Sequence, residues 1–414
     1  MSVLATELYY PLLEIFILLA FAELVRSATG RAGLPQVVGE VIAGMVLGYY
    51  ALGGVLNGLL GVPLFTVGND FVLIFADFSV VLLIFAAGLQ GGLAALRRSG
   101  VWAVGAAVAG DLVPFFLTFV VFSRFYPVST ALLLSVAAGA TSTAVVASLL
   151  KTEGLASLET GQFLLTTSAV DDVVGLFLLS VVLTVLGGQF DILAISGGVL
   201  ISVAAWGVLL IVSILVVPRL FRIRGVANSI DAPFVVLFGL VAVVVGLGFS
   251  ALVGAFIAGL AIAESVAASR ARQHVDLLLT IFGALFFVVI GSEFNVHLLL
   301  VPSVLAGAAL LFGIAAAGKF LGVYVFARGR FRSDAMARAV AVGTIPRGEI
   351  GLVVGAVGLS LGLFDQALLG AIVLMSLLTT IFGSLLLRAM RESLGGPASS
   401  KGAVGASDGV LSPP

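Results

Sequence analysis

Apolar residues run along this chain in long blocks, broken by short polar stretches. Thirteen blocks can be read, at about residues 8–25, 34–52, 70–89, 101–123, 128–150, 162–187, 192–217, 232–247, 249–264, 276–292, 303–327, 335–361 and 366–388. Most approach the roughly 20 residues that carry a helix, at about 1.5 Å per residue, across a hydrocarbon core. The pattern predicts an all-α polytopic membrane protein of about thirteen transmembrane helices. The short alternating segments of a membrane β-barrel are not what it shows.

Composition agrees with the pattern. Hydrophobic residues make up 61% of the 414 and charged residues 10%, far from the quarter usual in soluble domains. There are 51 glycines, suited to close helix packing in lipid and to breaks in helices. Cysteine is absent, which excludes disulfides and thiolate chemistry. The opening residues, with Glu7 and Glu14 where a leader would be basic, read as a first membrane helix rather than a cleaved signal.

Charge gives the expected orientation. If successive loops alternate sides, one side receives 17 of the 20 basic residues and the other only Arg124, while Lys319 and Arg347 fall within spans. By the positive-inside rule the N-terminus is outside and the C-terminus inside, and an even number of spans would break this sorting. The domain reading is a first helix with its linker over 1–33, a membrane domain over 34–394, and a small, polar, Pro/Gly-rich tail over 395–414, expected to be disordered and cytoplasmic.

Within the sixth block the run SAVDDVVGL places Asp171 and Asp172 side by side at mid-membrane. An ionised carboxylate there is costly, and such residues usually mark an ion or proton path. Counted from the predicted inner ends, the two acids lie about 14 Å deep, Lys319 about 12 Å, Thr141 to Thr143 about 10–14 Å and Arg347 about 18 Å. Glu349 joins the same layer. GATSTAVV in the fifth block and GTIPRGEIG in the twelfth, with Pro346 and Gly348 mid-span, are poor continuous helices. They occupy matching positions in two five-segment blocks, about 34–187 and 249–389. Five is odd, so the blocks run with opposite topology. Broken helices so placed are the sign of an inverted-repeat secondary transporter with its site at the midplane.

Several stretches then resemble a known family: GLPQVVGEVIAGMVLG (33–48), VVLLIFAAGLQ (80–90), GATSTAVVASLLKTEG (139–154), SAVDDVVGL, LVGAFIAGL (252–260), FFVVIGSEFN (286–295), GKFLG (318–322) and GTIPRGEIGLVV (343–354). In this order, over about 8–390, they resemble the monovalent cation:proton antiporter-2 family, in its electrogenic sodium/proton type with paired aspartates. The resemblance implies the sodium/proton antiporter fold with crossed broken helices, a homodimer in membrane lipid, and a six-helix core moving elevator-fashion. It assigns the ion-carrying carboxylate to Asp172, where sodium would bind, and a lysine-pairing acid to Asp171, with Lys319 as partner. Thr141 and Ser142 match the unwound stretch beside the ion. Arg347, Glu349 and Pro346 match the second crossover, where Arg347 and Glu349 are expected to form an internal ion pair. Gln90 departs from the family's usual acid, and Asp111 is a membrane-depth acid outside its pattern. A nucleotide-binding regulatory domain, carried by the family's ligand-gated potassium members, is not expected here.

The expected activity is exchange of sodium or lithium for protons in a multi-pass, prokaryotic inner or plasma membrane, with cation and proton competing for Asp172. Potassium/proton exchange is an alternative, and a sodium-coupled nutrient symporter is a more remote one. An intramembrane aspartyl protease would need its two aspartates on different helices. No enzymatic activity, cofactor or nucleic acid is expected. Among the remaining polar groups, Glu40 and Asp77 read as packing or capping residues, Glu14 and Glu23 as solvated or interfacial, His274 as a cytoplasmic loop residue, and His297 as an outer one.

Overall fold

The computed structural model describes residues 3–31, 34–98, 100–186, 192–223, 225–226, 229–247 and 249–394. The predicted tail at 395–414 lies outside the described residues. All regular structure among them is helical: α1 Val3–Arg31, α2 Gln36–Leu47, α3 Gly54–Leu60, α4 Asp70–Arg98, α5 Val101–Phe122, α6 Val128–Gly139, α7 Thr143–Thr152, α8 Glu159–Leu186, α9 Ile192–Leu220, α10 Ala232–Gly246, α11 Ala251–Ala263, α12 Ala268–Ser292, α13 Pro302–Phe331, α14 Asp334–Gly343, α15 Glu349–Ser360 and α16 Gln366–Ala389. Each of the thirteen apolar blocks carries a helix. The fifth and twelfth are each split in two, as their Gly, Pro and hydroxyl content predicted. Among the described residues, seven of these helices, and the run over 36–60 that holds α2 and α3, are long and apolar enough to cross a membrane.

The ends follow local chemistry. Ser142, Ser250, Ser333 and Asp365 cap α7, α11, α14 and α16 by accepting a hydrogen bond from a backbone N–H in the first turn. Pro302 opens α13 at a position where no N–H is missed. His274 lies inside α12, two turns from its start, not in a loop. The apolar block begins only at 276, but residues 268–275 continue the helix beyond it.

Two packing groups emerge. In one, α4 lies against α11 and α12, α2 against α1 and α12, and α10 against α11; in the other, α5 and α13 form the closest pair, with α6, α8, α14, α15 and α16 around them. Contact between the groups runs mainly along α4 and α8, and α9 touches both α8 and α11. Small residues set how near the backbones come. A Cβ on Gly322 would lie 2.3 Å from the carbonyl oxygen of Ala109, and one on Gly318 would lie 2.8 Å from Cα of Pro114. The glycines of GKFLG therefore let α13 lie directly on α5. That approach carries Lys319 in to the level of Asp111.

Candidate functional site

The break between α6 and α7 and the break between α14 and α15 face each other. Ser142 N–H donates to the carbonyl of Pro346 at 3.0 Å, and the Thr141 hydroxyl donates to the carbonyl of Thr344 at 3.0 Å. Each unwound stretch thus supplies hydrogen-bond partners that the other lost by leaving the helix. Gly348 makes this possible: a Cβ there would lie 2.5 Å from the Ser142 hydroxyl oxygen and 2.6 Å from its Cβ.

Charged groups gather on this crossing. Lys319, fully buried, donates to Asp171, to Asp111 Oδ1 at 2.9 Å and to the Gly139 carbonyl at 3.0 Å. Its three N–H bonds have three acceptors. The other oxygen of Asp171 accepts from Thr141 N–H at 2.7 Å. Gly139, at the end of α6, also accepts from the Arg347 guanidinium, whose second donor reaches the Ala315 carbonyl at 3.0 Å. Two cations on one helix C-terminus complement its partial negative charge. Glu349, in the first turn of α15, accepts from the Ser142 hydroxyl at 2.7 Å.

The expected Arg347 to Glu349 ion pair does not form. Two residues apart across the start of α15, the side chains leave in different directions. Arg347 holds carbonyls of α6 and α13, while Glu349 holds the Ser142 hydroxyl at the start of α7. The expected Asp171 to Lys319 pair is present, and Lys319 reaches Asp111 as well.

Asp172 differs from its neighbour. It is 8% exposed, and its Oδ1 is buried with no hydrogen-bond partner among the described residues. Glu349, Thr143 and Asp171 lie close enough to act on its charge. The buried hydroxyl of Thr143 lies against Asp172 and takes no part in the crossing, whereas those of Thr141 and Ser142 are engaged in it. A carboxylate oxygen without a donor in a buried site suits a hard cation or a proton.

The profile of the transmembrane sodium/hydrogen exchanger family matches residues 16–391. The chain belongs to the sodium/hydrogen exchanger family. Similar members include the high-affinity Na+/H+ antiporter NhaS3 of Synechocystis, 29% identical over 87% of this chain and 86% of that protein. An Na+/H+ antiporter of Enterococcus hirae is 26% identical over 86% and 92%. The Na+/H+-K+ antiporter GerN of Bacillus cereus is 26% identical over 89% and 93%. The fold is that of the sodium proton antiporter MjNhaP1 from Methanocaldococcus jannaschii, with a TM-score of 0.72 and 15% identity over 94% of this chain and 98% of that one. This member of the exchanger family is accordingly a multi-pass membrane protein and not an enzyme.

Two features of the candidate site escaped the sequence. Asp111 was visible as a membrane-depth acid, but only the close packing at Gly318 and Gly322 shows its partner. Thr143 shared the depth of Thr141 and Ser142, yet which hydroxyl is left to Asp172 depends on the crossing. Away from the site, Glu14 is buried at 2% exposure rather than solvated, because the 61–69 segment folds over it and Thr66 N–H donates to it at 3.3 Å. Glu23 is exposed and pairs with Arg26.

Proposed function

We propose that this protein exchanges sodium or lithium for protons across the membrane, with cation and proton competing at Asp172. The observation that carries this reading is the buried Asp172 carboxylate, one oxygen of it without a partner, beside the Thr143 hydroxyl at the meeting point of two broken helices. A sodium ion takes oxygen ligands from these groups, and from Asp171 when that acid turns from Lys319. A proton on the Asp172 carboxyl removes the charge the cation needs, so each excludes the other.

The reading extends to the charge moved. Asp111, Asp171, Asp172 and Glu349 set four acids against two bases, Lys319 and Arg347, around the crossing. The excess of two acids accommodates either two protons or a cation, which favours electrogenic exchange of two protons for one sodium. The group containing α5, α6, α8 and α13 to α16 moves as the elevator, while the group containing α4, α11 and α12 forms the fixed wall of a homodimer in lipid. With the basic loops cytoplasmic, the N-terminus lies outside.

Proteoliposomes with an acid lumen, given sodium, lithium or potassium outside, test it through lumenal pH. Sodium-dependent proton loss in the native chain that disappears in Asp172→Asn is the expected result, with a transport current of matching sign. Exchange without net charge movement would remove the electrogenic part alone. A second reading, potassium for protons at the same site, draws on the likeness to GerN, whose name includes potassium. A response to potassium only would establish it.

A further inference from the structure

A cavity of about 650 Å³ opens between the two packing groups, at the end of the bundle where α4 and α11 begin and α8 and α15 finish. Leu183 and Val357 contribute apolar wall from α8 and α15, while Ser129, Ser250 and Ser360 bring hydroxyls from the starts of α6 and α11 and the end of α15. Asp77, two turns into α4, is the one charged side chain among the described residues that line it. It is exposed and enters no ion pair among the described residues. A packing or capping role, read from sequence, would leave it against protein; instead it meets the open space.

The position has physical consequences. A lone carboxylate in a recess with mostly apolar walls has its field focused into the opening by those low-dielectric walls. Such a field favours cations over anions there. Asp77 stands on α4, which packs with α11 and α12, whereas Asp172 stands on α8 in the other group. The two acids are therefore on bodies that the proposed exchange cycle moves past one another. An acid on the fixed wall can hold a partly dehydrated cation in the opening without travelling with it.

The geometry points to Asp77 as the residue that concentrates monovalent cations in the outer vestibule and passes them to Asp172, so that it sets apparent affinity from that face alone. This rests on the exchange reading above, including the placement of this end of the bundle outside.

The test is exchange by the full chain in proteoliposomes enriched in either orientation, with sodium titrated from each side at low ionic strength. Native protein is compared with Asp77→Asn, Asp77→Ser and Asp77→Glu. Asp77→Asn and Asp77→Ser are expected to raise the half-saturating sodium concentration from the cavity side roughly three- to tenfold, through loss of the one charge that draws cations to the opening. Maximal rate and half-saturation from the opposite side stay within twofold, and Asp77→Glu behaves as native. Added choline chloride should shrink the difference by screening. No shift, an equal shift from both sides, or a fall in maximal rate alone would overturn the assignment. So would failure of both neutral variants to yield folded protein, which would make Asp77 a packing group. If the native chain exchanges no cation for protons, the exchange reading itself fails, and that result is separate from any comparison at Asp77.

Discussion

Lys319 lies 2.9 Å from Oδ1 of Asp111 while also holding Asp171, so one buried ammonium serves two carboxylates on two different helices. The three groups are 0%, 0% and 1% exposed at the side chain. Removing one partner from a buried charged set leaves the others uncompensated, at about 3–5 kcal/mol. Lys319→Gln, which strands both acids, should therefore lower the apparent melting temperature in detergent more than Asp111→Asn, which leaves Lys319 with Asp171 and Gly139. The double variant should recover part of the loss. Strictly additive effects would mean that Asp111 and Lys319 are not coupled.

Gly348 and Ser142 give a steric prediction. A methyl group on Gly348 would press on both the hydroxyl and the Cβ of Ser142, so rotation of the hydroxyl cannot relieve the clash. Gly348→Ala should cost about 1–3 kcal/mol, the usual range for overpacking, and reduce exchange by parting the two unwound stretches. Ser142→Ala should not rescue it, because Cβ remains. Ser142→Gly in the Gly348→Ala background should restore thermal stability, measured by the same melting assay, though not the hydrogen bond to Glu349. Equal rescue by Ala and Gly would refute the contact.

What the sequence could tell depended on distance along the chain. Block lengths reported the helices, since each depends on a local run of residues. Pro346, Gly348 and the hydroxyls at 141–143 reported both breaks, since a helix fails locally. The Arg347 to Glu349 pair fails to form for the complementary reason. Sequence proximity suggested mutual contact, but each side chain found a better partner on a helix about 200 residues away, at Gly139 and Ser142. Asp111 and Lys319 are 208 positions apart, and only the packing of small residues between α5 and α13 brings them together. Asp77 was legible as an acid near a helix end, but a cavity between helices leaves no local trace.

Glu293 yields a prediction about pH. It follows the last turn of α12, where burial pushes its carboxyl above the usual glutamate range and the hydrogen bond from Gly68 N–H pulls it partly back. A folded state that holds the proton more tightly than the unfolded one has its full contribution at low pH and loses it as pH rises through the raised value. Glu293→Gln keeps an acceptor for Gly68 and removes the buried charge. The variant should melt about 1–3 °C higher than native at pH 9, with the advantage vanishing near pH 4. An advantage that grew toward acid pH would have the wrong sign and would remove burial as the cause.

The cavity between the packing groups predicts a sided pattern of access. No cysteine occurs in the chain, so a single introduced cysteine reports without background. Ser250 and Ser360 both line the opening, on α11's capping residue and at the end of α15, whereas Ser135 is fully buried within α6. In right-side-out vesicles, a membrane-impermeant maleimide should label Ser250→Cys and Ser360→Cys, and should leave Ser135→Cys unlabelled. If the cavity closes when the two groups move past each other, a sodium and proton gradient that drives the cycle should slow labelling at both rim positions together, because they sit on opposite walls of one opening. Labelling from the cytoplasmic side alone would invert the orientation deduced from the basic loops. Labelling from outside that never responds to turnover would mean that the cavity is a fixed recess, and the movement between α4 and α8 would then have to be sought elsewhere in the bundle.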